Sequence, residues 1–257
     1  MSAIGVTPRR VLRAEWIKLV TLRSTLALFA ASVGLMVGLG VLSSLLAVQD
    51  WEAMTAAQRD GVRVGGRVFA GRLFAELTLG VVGAMAITGE YATGTIRATL
   101  AAVPRRLPVL WAKLAIFSGL TFASMTLTSF ACFFAGDAIL SAHWDFSLSD
   151  PGTLRAVVMT GVVLTAICLL GTALGFILRN TAAAISALIG IVLLAPLFFS
   201  QFAPEIGEYL PSGAMGALVT TTPEPNVLAP WPAFALLCAY VVAAIAAAAI
   251  VLMRKDA

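Results

Sequence analysis

Residues 24–49 read STLALFAASVGLMVGLGVLSSLLAVQ, a stretch without Asp, Glu, Lys or Arg. A helix needs about 20 residues to cross a hydrocarbon core of about 30 Å, so this stretch is long enough to span a bilayer. Four more stretches are equally free of charge: 114–136, 156–178, 180–204 and 225–253. Because a charge at the bilayer centre is costly, these stretches predict membrane-spanning helices.

A sixth span is shorter and more polar at one end. Residues 77–89 carry no charge, and extending the span back to 68 includes Arg72 and Glu76, which lie one helical turn apart. The predicted fold class is therefore an all-α integral membrane protein with six transmembrane helices. We place these spans, within one transmembrane domain covering 1–257, at about 25–48, 68–89, 110–136, 154–178, 181–203 and 230–253.

The composition supports a membrane protein. Hydrophobic residues make up 60% of the chain and charged residues 12%, whereas a soluble domain has about 25% charged residues. These values exclude a disordered chain and leave too little polar surface for a soluble globule. The net charge of +4 does not indicate nucleic-acid binding, because the basic residues do not cluster on a soluble face. We expect no nucleic-acid partner.

The distribution of charge predicts the orientation. Six spans place both termini on one side, which then holds 12 of the 17 Lys and Arg residues and three of the 13 acidic residues. Loops rich in Lys and Arg remain in the cytoplasm. The sequence thus predicts a multi-pass protein of the cell (plasma) membrane with both termini cytoplasmic.

Residues 9–24, before the first span, predict an interfacial helix. Its apolar face combines Leu12, Trp16, Leu19 and Val20, and the basic residues lie away from the centre of that face. A basic amphipathic helix with a Trp at its apolar edge suits an anionic membrane surface. The alternative is a basic flank that only fixes the topology.

The segment between the second and third spans, residues 89–106, reads GEYATGTIRATLAAVPRR. Gly94 and Thr95 stand where a helix can begin, and Pro104 ends the run of helix-forming residues. The pattern predicts a short, exposed helix on the side of the termini. A partner protein could bind such a helix.

These segments resemble the ABC-2 type permeases, the membrane subunits of ATP-binding cassette exporters, in the form common in actinobacteria. The matching stretches are EWIKL at 15–19, LRST at 22–25 and the segment 89–106, and six spans match over essentially the whole chain. The resemblance implies an ABC-2 (type V exporter-like) permease fold. It makes residues 9–24 the connecting helix and places the coupling helix, which docks on the ATPase, in the loop 90–108.

The same resemblance assigns roles to individual residues. For ATPase coupling it implies Glu90, Tyr91, Thr93, Gly94, Thr95, Ile96, Arg97, Arg105 and Arg106. For the connecting helix it implies Glu15, Trp16, Lys18 and Arg23.

The resemblance also divides the work between subunits. The sequence contains no G-x-x-x-x-G-K-[ST] phosphate-binding motif, so we expect ATP hydrolysis on a separate subunit. The expected partners are two copies of an ABC ATPase subunit, which carry ATP and Mg²⁺, a second permease copy or paralogue, and membrane lipids. We expect no cofactor in this chain. The expected cargo is a hydrophobic or amphipathic drug, antibiotic, peptide or lipid, moved outward.

Two acidic residues have alternative interpretations. Glu90 either pairs with a basic residue of the amino-terminal helix, such as Arg23, or is solvated at a helix end. Glu76 either pairs with Arg72 or belongs to a translocation path or outer gate. The single histidine, His143, lies in a predicted loop, where a solvated side chain is expected and no metal site.

Two features are left open by the sequence. The proline-rich outer loop 203–230 reads as an irregular loop, whereas the resemblance implies short helices there. The alternative functions are an ATPase-independent secondary transporter with Glu76 as its proton site, or a regulatory membrane scaffold. No catalytic or metal motif indicates an intramembrane enzyme.

Overall fold

The computed structural model describes residues 7–55, 64–103, 106–144, 147–221 and 227–254. This part of the chain is all-helical and contains no strand. Six of its helices are long and apolar enough to cross a membrane. The predicted all-α fold is thereby confirmed for these residues, and its six long apolar helices are consistent with a multi-pass membrane protein.

The described residues form a succession of helices. In chain order they are α1 (Pro8–Thr21), α2 (Arg23–Gln49), α3 (Val64–Arg67), α4 (Arg72–Ala92), α5 (Thr95–Ala102), α6 (Leu107–Leu140), α7 (Thr153–Leu178), α8 (Thr181–Phe202), α9 (Pro204–Gly207), α10 (Pro211–Val219) and α11 (Pro230–Arg254). The six candidate spans are α2, α4, α6, α7, α8 and α11. Within α8, residues Gly190–Leu194 form a π-helical turn.

The helix of the second span begins at Arg72, four residues after the predicted start of that span at about residue 68. Residues 68–71 form a turn, in which Gly71 approaches the backbone of Leu35 and Met36 in α2. A side chain at position 71 would collide with that backbone. The boundary is therefore set by the contact with α2.

Helix α7 is the central helix of the bundle. In its most apolar segment 72% of the residues are buried, against 22% or less in α2, α8 and α11. Its contact with α4 is close because glycines face each other: a Cβ at Gly171 would collide with the carbonyl oxygen of Gly80, and one at Gly83 with that of Cys168. Small residues at a helix interface allow such backbone approach, which maximises van der Waals contact.

Both ends of the described chain lie at the same end of the bundle, which we call the terminal end. There α1 contacts the first turns of α6 through Glu15 and Lys113, and the carboxyl end of α11 accepts a hydrogen bond from Arg106. The connection between α4 and α6, which contains α5, lies at the same end. This agrees with an even number of crossings.

At the opposite end, the chain after α8 forms two short helices, α9 and α10, so an irregular loop is the wrong description of the described residues there. Helix α10 is largely buried against the bundle. Arg155 of α7 donates hydrogen bonds to the carbonyl oxygens of Leu218, at 3.1 Å, and Thr220, at 2.8 Å. These contacts satisfy carbonyls that have no partner at the end of a helix, and they hold α10 on the bundle.

Candidate functional site

Four charged side chains and one hydroxyl meet at the terminal end: Glu15, Lys18, Glu90, Thr99 and Lys113. We call this group the charge cluster. Lys113 Nζ lies 2.5 Å from Glu15 Oε2 and 2.8 Å from Glu90 Oε1. Lys18 Nζ lies 2.8 Å from Glu15 Oε1, 3.0 Å from Glu90 Oε1 and 3.1 Å from Thr99 Oγ1. Each ammonium thus bridges both carboxylates.

The charge cluster joins four helices. Glu15 and Lys18 come from α1, Glu90 from the last turn of α4, Thr99 from α5 and Lys113 from the second turn of α6. Its two acids and two cations balance, so no net charge is buried. Moving any of these helices away from the others separates at least one ion pair or hydrogen bond.

Burial differs among the members of the charge cluster. The side chains of Glu15 and Lys113 are 4% and 3% exposed, and Glu90 is 13% exposed. Lys18 faces solvent more, with 34% of its side chain exposed. Desolvation by itself lowers the pKa of Lys18, but hydrogen bonds and the charges of Glu15 and Glu90 outweigh it, so the pKa is raised.

A small apolar group lies beside the charge cluster and joins the same helices. Val11 of α1 packs with Val109 and Ala112 of α6, and Leu100 of α5 packs against them. Val11, Glu15 and Leu19 are spaced four residues apart, so they form one buried stripe of α1. Leu19 therefore packs into the protein, whereas Leu12, Trp16 and Val20 of the predicted apolar face are exposed.

The expected contact between Glu90 and a basic residue of the amino-terminal helix is present, but its partner is Lys18 and not Arg23. Arg23 is exposed at the first residue of α2. Trp16 is also exposed, on the side of α1 away from the charge cluster.

The sequence interpretation missed Lys113 and Thr99 as members of the site. Lys113 falls inside the predicted span 110–136, between apolar neighbours. A cation inside a span needs a counter-charge, and this requirement could have identified Lys113 from the sequence as a member of the site. Thr99 gave no comparable signal, because a threonine on a short helix is common on any surface.

Helix α5 is short and exposed, as its sequence predicts. It begins after Gly94, whose backbone is left-handed with φ 71°, a conformation that glycine adopts without strain. The hydroxyls of Thr93 and Thr95 lie 2.9 Å apart at this turn. Ile96 is the buried residue of the helix, and Arg97 projects from its exposed side.

Tyr91, Arg106 and Arg179 form a second group at the terminal end, around the end of α11. Arg106 donates to the carbonyl oxygen of Leu252 at 3.0 Å, and Arg179 to that of Val251 at 3.5 Å. The Arg179 guanidinium lies 5.1 Å from the centre of the Tyr91 ring. Cations at a helix carboxyl end are stabilised by its unpaired carbonyls. Arg105 lies outside the described residues.

Glu76 and Arg72 are paired, as the structural interpretation of these residues proposes. Arg72 Nη1 lies 3.1 Å from Glu76 Oε1, without hydrogen-bond geometry, and the same nitrogen reaches the carbonyl oxygen of Met215 at 3.5 Å. The carboxylate is buried within one turn of the start of α4. The pair thus also contacts α10.

His143 lies at the opposite end of the bundle, in the turn after α6. Its ring is 4.7 Å from that of Trp51, centre to centre, and the residue is exposed. Trp51 also makes an edge contact with Trp144. The histidine therefore packs on an aromatic surface.

Comparison with known proteins adds no family assignment. Neither the protein-family models nor the curated proteins give a match to this chain. Function is therefore inferred from the charge cluster and the exposed helix beside it.

Proposed function

We propose that this chain is the permease subunit of an ATP-driven exporter of the ABC-2 type, with the type V exporter-like fold. The observation that supports this best is the charge cluster, since it connects α1, the end of α4, the exposed helix α5 and the start of α6. In this proposal α1 is the connecting helix and α5 is the coupling helix that docks on a separate ATPase subunit.

The exposed side of α5 is the proposed docking surface. Five of its residues are exposed, namely Thr95, Arg97, Ala98, Ala101 and Ala102. Small side chains allow close approach of another protein, and Arg97 offers a charge for pairing. The opposite side holds Ile96, which is buried, and Thr99, which accepts from Lys18. A partner on the exposed side thus contacts a helix already anchored to the spans.

The charge cluster provides a physical path from α5 to the membrane. Separating a buried ion pair leaves an uncompensated charge, at a cost of about 3–5 kcal/mol. The ends of α1, α4 and α6 therefore move together when α5 is displaced. ATP-driven movement of the partner would in this way tilt two spans, α4 and α6, at once.

The proposal also includes the partner subunits, the orientation in the membrane and the cargo. Two ATPase copies bind ATP and Mg²⁺, and a second permease copy or paralogue completes the pathway. The chain lies in the cell membrane with its terminal end on the cytoplasmic side. The proposed cargo is a hydrophobic or amphipathic drug, antibiotic, peptide or lipid, moved outward. The high mean hydropathy of the spans is compatible with such a cargo.

The test is whether an ATPase binds α5. The chain is purified from its native membranes under mild detergent, and co-purified ATP hydrolysis is measured. Replacing Arg97 by Glu should reduce the co-purified ATPase by about tenfold, because a reversed charge at an interface repels its partner. The matched control is Arg254→Glu, which reverses an exposed cation of α11 at the same end of the bundle. Full transport activity without any ATPase would overturn the proposal.

A secondary transporter is the second candidate, and the buried carboxylate of Glu76 favours it. An ionisable group inside a span is a natural proton site. Its ion pair with Arg72 supports a structural role instead. Glu76→Gln separates the two, since it would abolish proton-driven transport but leave ATP-driven export in place. A regulatory scaffold would show neither activity.

A further inference from the structure

A basic groove lies along α1, on the side away from the charge cluster. Its volume is about 950 Å³, and its walls include Arg9, Arg10, Leu12, Arg13 and Trp16 of α1 and Ile116 of α6. The groove is open, and none of the described residues that line it is acidic. The three arginines belong to the first two turns of α1 with Leu12 between them, whereas Trp16 lies further along the helix and Ile116 on the neighbouring span.

The groove therefore has two chemical parts. Arg9 and Arg13 are exposed and one turn apart, so both guanidiniums can reach the same anion. Trp16 is 46% exposed and Leu12 38% exposed beside them. Guanidinium groups bind phosphate through paired hydrogen bonds, and an indole ring suits the boundary between headgroups and hydrocarbon.

We propose that this groove binds the headgroup of an anionic phospholipid. The phosphate would contact Arg9 and Arg13, and the start of an acyl chain would lie against Trp16, Leu12 and Ile116. A membrane lipid is favoured over a soluble anion because Ile116 belongs to the candidate span α6, so the apolar part of the groove continues into the bilayer. Charge complementarity and the apolar wall together require an amphiphile.

Lipid binding would act on the charge cluster through α1. The helix has 14 residues, with Glu15 and Lys18 on one side and the groove on the other. A lipid that holds the groove side at the membrane surface also holds Glu15 against Lys113. This inference concerns the membrane protein itself and does not depend on the proposed export function.

The test is a lipid titration of the full-length chain in neutral detergent. Thermal stability is followed while short-chain phosphatidylglycerol, short-chain phosphatidylcholine or inorganic phosphate is added. We expect saturable stabilisation by phosphatidylglycerol only. The double variant Arg9→Gln/Arg13→Gln should weaken its apparent affinity by about 30-fold, at about fivefold for each arginine near an anionic headgroup. Arg254→Gln removes an exposed cation of α11 and should leave the affinity unchanged.

Several results would overturn the inference. Equal stabilisation by phosphatidylcholine would remove the role of charge, and equal stabilisation by inorganic phosphate would remove the role of the lipid. Unchanged affinity in the double variant would place the lipid elsewhere. If the double variant does not fold, the three additives on the unmodified chain and Arg9→Lys/Arg13→Lys, which retains the charge, still decide the question.

Discussion

Lys113 is the most deeply buried cation of the charge cluster, and replacing it by Met removes its charge while retaining much of its volume. The side chain is 3% exposed and contacts Glu15 at 2.5 Å and Glu90 at 2.8 Å. Without it, two carboxylates share only Lys18, whose side chain is 34% exposed. The charge cluster then has a net charge of −1 in a poorly solvated site.

The expected loss follows from this burial. Removing one partner of a buried ion pair costs about 3–5 kcal/mol, because the other charge is left uncompensated. At roughly 3 °C per kcal/mol for a chain of this size, the melting temperature should fall by on the order of 10 °C. Lys18→Met is the matched comparison: it also leaves two carboxylates with one cation, but Lys18 itself is partly exposed, so water can replace its ammonium and the loss should be much smaller.

The assay is thermal unfolding of the purified protein in one detergent and one lipid mixture, with the double variant Lys113→Met/Glu15→Gln included. Removing the acid as well restores a neutral site, so the double variant should recover much of the stability lost by Lys113→Met. Equal losses for Lys113→Met and Lys18→Met would refute the reasoning. So would a double variant whose loss equals the sum of its two single variants.

Two further predictions concern helix packing and pH. Gly171→Ala places a methyl group on the carbonyl oxygen of Gly80, so the free energy of unfolding should fall by about 1–3 kcal/mol in a denaturant titration. Gly119→Ala, which meets open space, should change it by less than about 0.5 kcal/mol; equal effects would contradict the close contact of α4 and α7. The raised pKa of Lys18 means that its stabilisation is complete below its ordinary value of 10.5 and is lost as pH rises through the higher folded value. Melting curves of the unmodified chain should therefore approach those of Lys18→Met only in strong alkali, and a difference that disappears near neutral pH would contradict this sign.

The spans are the part of the fold that the sequence predicts best. Charge-free stretches long enough to cross a bilayer occur at five places, and each contains most of a helix in the structure. The remaining span, at about 68–89, was found with its polar end, and its helix begins only at Arg72 because the turn at Gly71 lies against the backbone of α2. The two short helices after α8 were left open, because proline-rich sequence alone does not show which pieces pack on the bundle.

The candidate site was only partly predictable. Glu90 was singled out because an acid stood among basic residues at the end of a span, and a contact with α1 was one of its two interpretations. The identity of its partners was not, since Lys18 lies 72 positions away along the chain and Lys113 lies 23 positions away. Similarly, amphipathic spacing placed Leu19 with Trp16, whereas packing against α6 turns Leu19 inward.

The sequence by itself determined the number of spans and the scarcity of charge within them, because hydrocarbon penalises charge whatever the neighbours are. It also singled out Glu76 and Glu90 as acids for which a partner had to be considered. Only the tertiary structure decided that Glu15, Lys18, Glu90 and Lys113 meet at one point, since that depends on how helices distant in sequence pack. Glycine contacts between α4 and α7 and a buried stripe on α1 set this packing.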